Sequence, residues 1–287
     1  MQSYFYPITR TNFSFEDDNI NVVFKKVGNF RTTSALKSSC SIIVTVKDEA
    51  SVINSFYDNL VDFIEKYNIS EPKSNLPYIR EIIFVDGGSQ DNTVKLIERK
   101  VGKSQSFSVI IAMQPLGTKL AYAEYLGATI ATGDYIIKID GDGQHNVSIA
   151  YELLKHSSKF DVVIASRYIG SGGSRWSPMR GIISRIARAE FHVVFPHLRN
   201  VKDPLSGFFL CKRSILPNKP PHKDGFKYLM HILAITSKIK VHEIPYIIEE
   251  RKLGESKILS SGHKMILNYN KELINCIKIR LNTAGKI

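Results

Sequence analysis

The sequence predicts an α/β protein, with a mostly parallel sheet covered by helices on both faces. Short apolar, β-branched runs alternate with segments of helical period from residue 40 to about 250. That alternation gives parallel strands joined by crossover helices. Three of the runs end in acidic turns, at Asp48-Glu49, at Asp86 and at Asp140/Asp142. Open parallel sheets bind ligands beyond the C-terminal ends of their strands, so three acidic ends in one crevice point to a ligand site.

The elements follow in order. Residues 1–39 are aromatic-rich without a sustained period, and are expected to form an N-terminal extension with room for a strand or hairpin. Residues 40–46 (CSIIVTV) have a buried-strand pattern and run into Lys47-Asp48-Glu49-Ala50; Val52, Phe56, Leu60, Phe63 and Ile64 then recur at helical spacing. Pro72 and Pro77 break that helix. A second strand, 81–85, ends in DGGSQDNT over 86–93, where Asp91 or Thr93 suits a helix cap. A third, 108–112, precedes Leu116-Gly117-Thr118-Lys119 and a helix through Ala131.

Residues 135–139 form the next strand and end in Asp140-Gly141-Asp142-Gly143-Gln144-His145. Carboxylates at i and i+2 on an extended chain share a face, and the flanking glycines let backbone and ligand approach closely. Two hard oxygen donors there suit a divalent cation that also holds a substrate diphosphate. Another strand begins at Val162 and ends at Ser166-Arg167; the glycine-rich segment 170–174 after it suits a mobile lid. Helices are expected over 181–195 and 226–237, and a strand over 241–248. From His263 an apolar stripe of Ile266, Tyr269, Leu273, Ile274 and Ile277 runs among Lys264, Lys271, Lys278 and Arg280. This basic amphipathic helix, within a C-terminal segment 259–287, fits a membrane surface and the protein's own core equally well.

Composition narrows the class. The chain is 43% hydrophobic and 23% charged, which suits a globular protein, and no apolar run is long enough to span a membrane. The N-terminal residues lack the pattern of a secretory signal. Cys40, Cys211 and Cys276 are far apart and odd in number, as expected of reduced thiols. The net charge of +12 calls for an acidic partner. Nucleic acid is not expected, because no basic face is interleaved with aromatics. A nucleotidyltransferase would need a glycine-rich, lysine-ended loop near residue 45, which is absent.

Five ordered motifs between about residues 40 and 258 resemble family-two glycosyltransferases of the GT-A (Rossmann-like) fold. They are residues 41–50, Val85 to Asp91, Leu116 to Lys119 with Gly127-Ala128 and Gly133-Asp134, Asp140-Gly141-Asp142, and Arg251-Lys252-Leu253-Gly254-Glu255-Ser256-Lys257. The resemblance implies a nucleotide-sugar site of Val46, Asp48, Glu49, Asp86, Gly88, Ser89, Lys119, Asp140, Gly141, Asp142, Arg251 and Lys257. The family's usual Pro-Thr-Tyr-Asn-Glu is Thr45-Val46-Lys47-Asp48-Glu49 here, so the nucleotide base is left open. Gln144-His145 after the acidic pair is similar to the polyprenyl-phosphate sugar synthases, which resemble dolichol-phosphate mannose synthase. That resemblance implies Mg2+ or Mn2+ held by Asp140, Asp142 and Gln144; His145 could ligate too, although a lone histidine after a metal loop is more often structural. It places Arg167, Arg180 and Ser184 on a lipid phosphate, and Asp203, in Asp203-Pro204-Leu205-Ser206-Gly207-Phe208, near the sugar and acceptor. Arg251 and Lys257 would neutralise the leaving diphosphate.

The implied reaction is inverting transfer of a hexose, mannose or glucose, from GDP-mannose, UDP-glucose or a similar donor to polyprenyl or dolichyl phosphate. A phosphate acceptor is already largely dianionic at neutral pH and needs positioning more than a base. The alternative is a glycan or other hydroxyl acceptor with Asp203 as base. A lipid acceptor implies a peripheral protein on the cytoplasmic face of a membrane, and leaves a membrane-embedded partner protein open. The segment from Trp176 to Phe195, with Arg180, Arg185 and Arg188 among isoleucines, suits such a surface.

Overall fold

The computed structural model describes residues 10–15, 18–27, 38–70, 75–101, 107–175, 178–249 and 262–284. Its strands are β1 (Arg10–Phe15), β2 (Asp18–Val27), β3 (Ser39–Val46), β4 (Tyr78–Asp86), β5 (Ser108–Met113), β6 (Tyr135–Asp140), β7 (Val162–Ser166), β8 (Gly173–Ser174), β9 (Phe209–Lys212), β10 (Val241–Pro245) and β11 (Ile247–Ile248). The helices are α1 (Ile53–Ser70), α2 (Thr93–Lys100), α3 (Leu120–Ile130), α4 (Ile149–Lys155), α5 (Pro178–Val194), α6 (Tyr228–Ile235) and α7 (Gly262–Ala284).

Nine strands form one sheet in the order β1-β2-β5-β4-β3-β6-β9-β7-β10. From β3 the chain builds outward through β4 and β5, then returns to place β6 on the other side of β3. That reversal opens a crevice beyond the strand ends, where such sheets take ligands. β9 is antiparallel to both β6 and β7, and the β1–β2 hairpin joins antiparallel to β5. The sheet is therefore mixed, with antiparallel pairings the strand-helix alternation did not reveal.

The central strands are buried on both faces, which is why they read as continuous Val/Ile runs rather than alternating ones. Ile42 and Val44 pack under α1 with Phe56, Leu60 and Ile64, while Ile43 faces α3 and the cluster that contains Leu126 and Leu233. Burying each such aliphatic side chain contributes about 1.5–3 kcal/mol. Tyr269, Leu273 and Cys276 of α7 join this second cluster. Tyr269 Oη donates to the Ala187 carbonyl at 2.6 Å, and His231 of α6 pairs with Glu272 of α7 at 2.8 Å, both fully buried. One side of the C-terminal helix thus packs on the core; Leu267, Ile274 and Leu281 stay exposed.

Two local differences bear on the site. The expected strand over 241–248 is broken at Tyr246: β10 continues the main sheet, whereas β11 pairs with β8. The glycine-rich segment 170–174 is accordingly tied down, with the Gly173 N–H donating to Tyr246 O at 2.9 Å and the Arg175 N–H to Ile248 O at 3.1 Å. Trp176 lies outside the described residues, as does the segment carrying Arg251 and Lys257.

Candidate active site

The β3 and β4 turns interlock to form one wall of the crevice. Asp48 sits at φ 52°, a left-handed conformation that aspartate tolerates better than most residues. Its N–H donates to Ser89 Oγ at 2.9 Å, and its Oδ1 accepts the Gln90 N–H at 2.7 Å. The Glu49 N–H donates to Thr93 Oγ1 and the Ala50 N–H to Asp91 Oδ2. Asp91, rather than a simple helix cap, is thus the brace between the two turns. Asp86 is fully buried: one oxygen accepts the Gly88 and Ser89 N–H groups at 3.0 and 2.9 Å, the other the Ser89 hydroxyl. It shapes its own turn and leaves Asp48 and Ser89 nearer the opening. Val46 is buried below, bonded through its carbonyl to the Gly87 N–H, and Lys119 is exposed at the start of α3.

The acidic pair lies at the floor, where β6 ends against β3. The Gly141 N–H donates to Thr45 O at 3.0 Å, and a Cβ at Gly141 would stand 2.6 Å from Val46, so only glycine fits. Asp140 Oδ1 accepts the Thr45 hydroxyl at 2.9 Å and the Lys138 ammonium. Lys138 is 1% exposed and also pairs with Glu124 of α3 at 2.8 Å. Burial pushes the Asp140 carboxyl up, but Lys138 and His145 outweigh it and hold it well below the usual carboxylate range. Burial pushes Glu124 up, against the pull of Lys138. His145 stands 3.4 Å from Asp140 Oδ2, receives or donates a 2.7 Å bond with Tyr246 Oη, and packs edge-on to Phe208. It orients the aspartate from behind, in keeping with a structural histidine.

Asp142 is half-buried, and its Oδ1 accepts the Gln144 N–H at 3.0 Å. Gln144 is buried, with its side-chain amide donating to Glu249 O at 2.9 Å, so it links the acidic loop to the strand that leads toward residue 251. The oxygen-only donors of Asp140, Asp142 and Gln144 suit a hard divalent cation. The lack of a side chain at Gly207 keeps Asp140 Oδ2 from being crowded: a Cβ there would reach 2.9 Å from that oxygen.

On the far wall, Arg167 and Asp203 engage each other. The Arg167 N–H, Nε and Nη2 donate to the Asp203 carboxylate at 3.0, 2.7 and 2.6 Å. Asp203 is fully buried, and Glu243 accepts the Lys202 and Asp203 N–H groups to hold the loop. Burial works against the Arg167 charge, yet Asp203 raises its affinity for the proton overall. Beside it Ser184 Oγ lies 3.0 Å from Tyr168 Oη, and Arg188 stacks over the Tyr168 ring at 4.2 Å. The sequence reading places Arg188 only among the basic residues of the surface segment from Trp176 to Phe195. Arg180 is half-buried on the first turn of α5, one turn before Ser184.

Two groups escaped the sequence reading. Lys138 looked like an ordinary strand lysine, and Lys227 like the start of a helix. The half-buried Lys227 ammonium has no ion pair among the described residues, and burial brings it down to about 8, with Lys138 and Arg167 adding and Asp140 opposing. The next residue's N–H, that of Tyr228, donates to Glu124 Oε2 at 3.3 Å, which ties the start of α6 to the Lys138 cluster. No local pattern could have exposed either residue, since each depends on contacts between distant elements.

An acidic pair at the switch point of a mostly parallel sheet, facing two interlocked turns and an arginine-lined wall, is the architecture of a GT-A glycosyltransferase. The chain belongs to glycosyl transferase family 2, whose model matches residues 41–218. It is 30% identical to a dolichol-phosphate mannosyltransferase of Pyrococcus furiosus over 80% of this chain, spanning 64% of that protein's length. It is 29% identical to the dolichol-phosphate mannosyltransferase of Saccharomyces cerevisiae, over 67% of this chain and 73% of that one. Among solved structures, glucosyl-3-phosphoglycerate synthase from Mycobacterium tuberculosis, in complex with Mn2+, UDP and glucosyl-3-phosphoglycerate, superposes with a TM-score of 0.58 at 15% identity, covering 86% of this chain and 88% of that one. Mannosyl-3-phosphoglycerate synthase from Rubrobacter xylanophilus gives 0.59 at 18% identity, covering 87% and 76%. These two likenesses establish the fold alone.

Proposed function

We propose that the protein transfers a hexose, with inversion, from a nucleoside-diphosphate sugar to a polyprenyl phosphate at a membrane surface. The observation that carries this reading is the Arg167–Asp203 pair. A hydroxyl acceptor needs a carboxylate base within reach, and Asp203, the candidate for it, is fully buried and bonded three ways to Arg167. A phosphate acceptor needs no such base. The names of the Pyrococcus and yeast relatives point the same way.

In this reading Asp48, Glu49 and Ser89 contact the nucleotide, Val46, Gly88 and Gly141 give it backbone, and Asp86 keeps the second turn in shape. Asp140, Asp142 and Gln144 would hold Mg2+ or Mn2+, which when bound counters the charge developing on the leaving diphosphate. Lys119, Arg251 and Lys257 add positive charge around that diphosphate. Arg180 and Ser184 bind the acceptor phosphate, and Arg167, oriented by Asp203, supports them with its remaining positive face. With the donor fixed on one wall and the acceptor phosphate on the other, in-line attack opposite the leaving group inverts the sugar carbon.

The membrane surface enters through α5 and α7. Met179, Ile182, Ile186 and Val193 form an exposed apolar stripe on α5, with Arg185 beside it. Leu267, Ile274 and Leu281 alternate with exposed Lys271 and Lys278 on α7. No helix among the described residues is long and apolar enough to cross a membrane. In this reading the protein attaches peripherally on the cytoplasmic face of a membrane, alone or beside a membrane-embedded partner protein, and the exposed apolar and basic residues of α5 and α7 support that attachment.

A panel of nucleotide sugars tested against a short polyprenyl phosphate, with product read by thin-layer chromatography, tests the reading. GDP-mannose or UDP-glucose should give a charged lipid product. Transfer to 3-phosphoglycerate with none to polyprenyl phosphate would replace the lipid acceptor by a soluble one.

A further inference from the structure

Lys138 is a fully buried lysine in the middle of a central strand, and its ammonium is fixed from two sides. Glu124 of α3 holds it at 2.8 Å, and it donates to Asp140 Oδ1. The other Glu124 oxygen accepts the Tyr228 N–H at 3.3 Å, so α6 braces the clamp as well. The Thr45 hydroxyl donates to the same Asp140 Oδ1 at 2.9 Å. Asp140 Oδ2 meets His145 Nε2 at 3.4 Å and is otherwise backed by the bare backbone of Gly207. One oxygen of the first acidic residue is therefore saturated by a hydroxyl and a permanent cation, while the other remains for a ligand.

This arrangement affects how a divalent ion is received. An ion arriving alone meets a carboxylate whose charge is already countered by an ammonium, and repulsion between cations is poorly screened in a partly buried site. A nucleoside diphosphate brings negative charge and oxygen ligands of its own, which restores the balance.

We propose that Lys138, held by Glu124, is a positioning residue that makes divalent-ion binding at Asp140 and Asp142 conditional on the nucleoside diphosphate. The ion enters with the diphosphate rather than resting in the empty protein, and leaves with the product. The inference rests on reading Asp140 and Asp142 as the metal carboxylates.

Titrating the full chain with Mn2+, following free Mn2+ by electron paramagnetic resonance, tests it without any turnover; Mn2+ pre-mixed with GDP or UDP forms the second arm, read by calorimetry. For the wild type, Mn2+ alone should bind at least tenfold more weakly than the Mn2+–nucleotide complex. Lys138→Gln keeps hydrogen-bond donors without the charge; Lys138→Met with Glu124→Gln removes the ion pair yet keeps an acceptor for the Tyr228 N–H. Lys138→Gln should bind Mn2+ alone at least tenfold more tightly than the wild type; the double variant removes one charge of each sign and should bind it more tightly than the wild type but less tightly than Lys138→Gln, because the lost ammonium is the charge in contact with Asp140. Thr45→Val removes the uncharged donor and should change that affinity less than threefold, which separates charge from simple orientation. Lys138 variants within twofold of a wild type that binds Mn2+ with nucleotide would overturn this inference alone. A wild type that binds no Mn2+ even with nucleotide would overturn the metal reading and this inference together.

Discussion

Replacing Asp203 by asparagine separates the two acceptor chemistries, because they assign that residue opposite jobs. In the structure Asp203 is fully buried and accepts three donors from Arg167. Asparagine keeps the shape and one acceptor, but turns an amide N–H toward a guanidinium N–H and removes the carboxylate charge bonded to it. Breaking a buried pair from one side costs about 3–5 kcal/mol, because the surviving charge stays desolvated. Against a total stability of roughly 5–15 kcal/mol this is a severe loss. At about 2–4 °C per kcal/mol for a chain of this size, the melting temperature should fall by roughly 6–20 °C. Thermal unfolding followed by circular dichroism reads the shift. The double replacement Arg167→Met with Asp203→Leu should recover most of that loss, since an apolar pair carries no charge-desolvation penalty and only the backbone N–H of residue 167 loses its acceptor, yet should have little activity. If Asp203→Asn melts within about 2 °C of the wild type while its turnover falls about 10²–10⁴-fold, Asp203 is a general base and the reasoning fails.

Other consequences follow from the same geometry. Asp142→Asn should leave the melting temperature unchanged within a few degrees and abolish transfer, and chelator should do the same to the wild type; full activity in excess EDTA would contradict a metal role. Arg180→Ala should raise the KM for polyprenyl phosphate at least tenfold with little change in that for the nucleotide sugar, measured by initial rates. Lys227, brought down to about 8 by burial, loses its charge in the folded protein well before it would in the unfolded chain. Between that value and the ordinary lysine value near 10.4 the unfolded state binds more protons, so this group's contribution makes stability rise with pH. Lys227→Met should remove that rise from denaturant midpoints taken across pH 8 to 10. For the membrane, each basic residue near an anionic surface contributes about 1 kcal/mol, screened at high salt. The protein should float with anionic liposomes at low salt, and Ile182→Glu with Ile186→Glu should release it; equal flotation of that variant would move the contact elsewhere.

How much of this was legible in the sequence differs from part to part. The strands β3 to β7, and the acidic ends of β3, β4 and β6, could be read because burial on both faces leaves unbroken apolar runs, and a run that stops at an aspartate marks its own end. β9 could not: Phe209 to Lys212 is four residues long, and its antiparallel insertion between β6 and β7 depends on pairing across the sheet. The short helix α4 left no usable period either. Within the site, residue types were legible but partners were not. Arg167 and Asp203 looked like separate contacts for phosphate and sugar, yet they meet across 36 residues of chain. Asp86 looked like a ligand contact, yet its oxygens close its own turn. Gln144 reads as a third ligand from its position, and the fold adds a second tie, to Glu249. Lys138 gave no signal, since a strand lysine acquires meaning only when α3 places Glu124 above it.

The central claim is that the nucleophile is a phosphate. The most direct measurement offers the purified protein a radiolabelled nucleotide sugar with equal amounts of a short polyprenyl phosphate and the matching polyprenol, and separates the two products by charge. The account predicts label almost entirely in the phosphodiester-linked lipid, at a rate nearly independent of pH above about 7, where the acceptor is already dianionic. Equal labelling of the free alcohol, with a rate that follows the ionisation of an enzyme carboxylate, would contradict it.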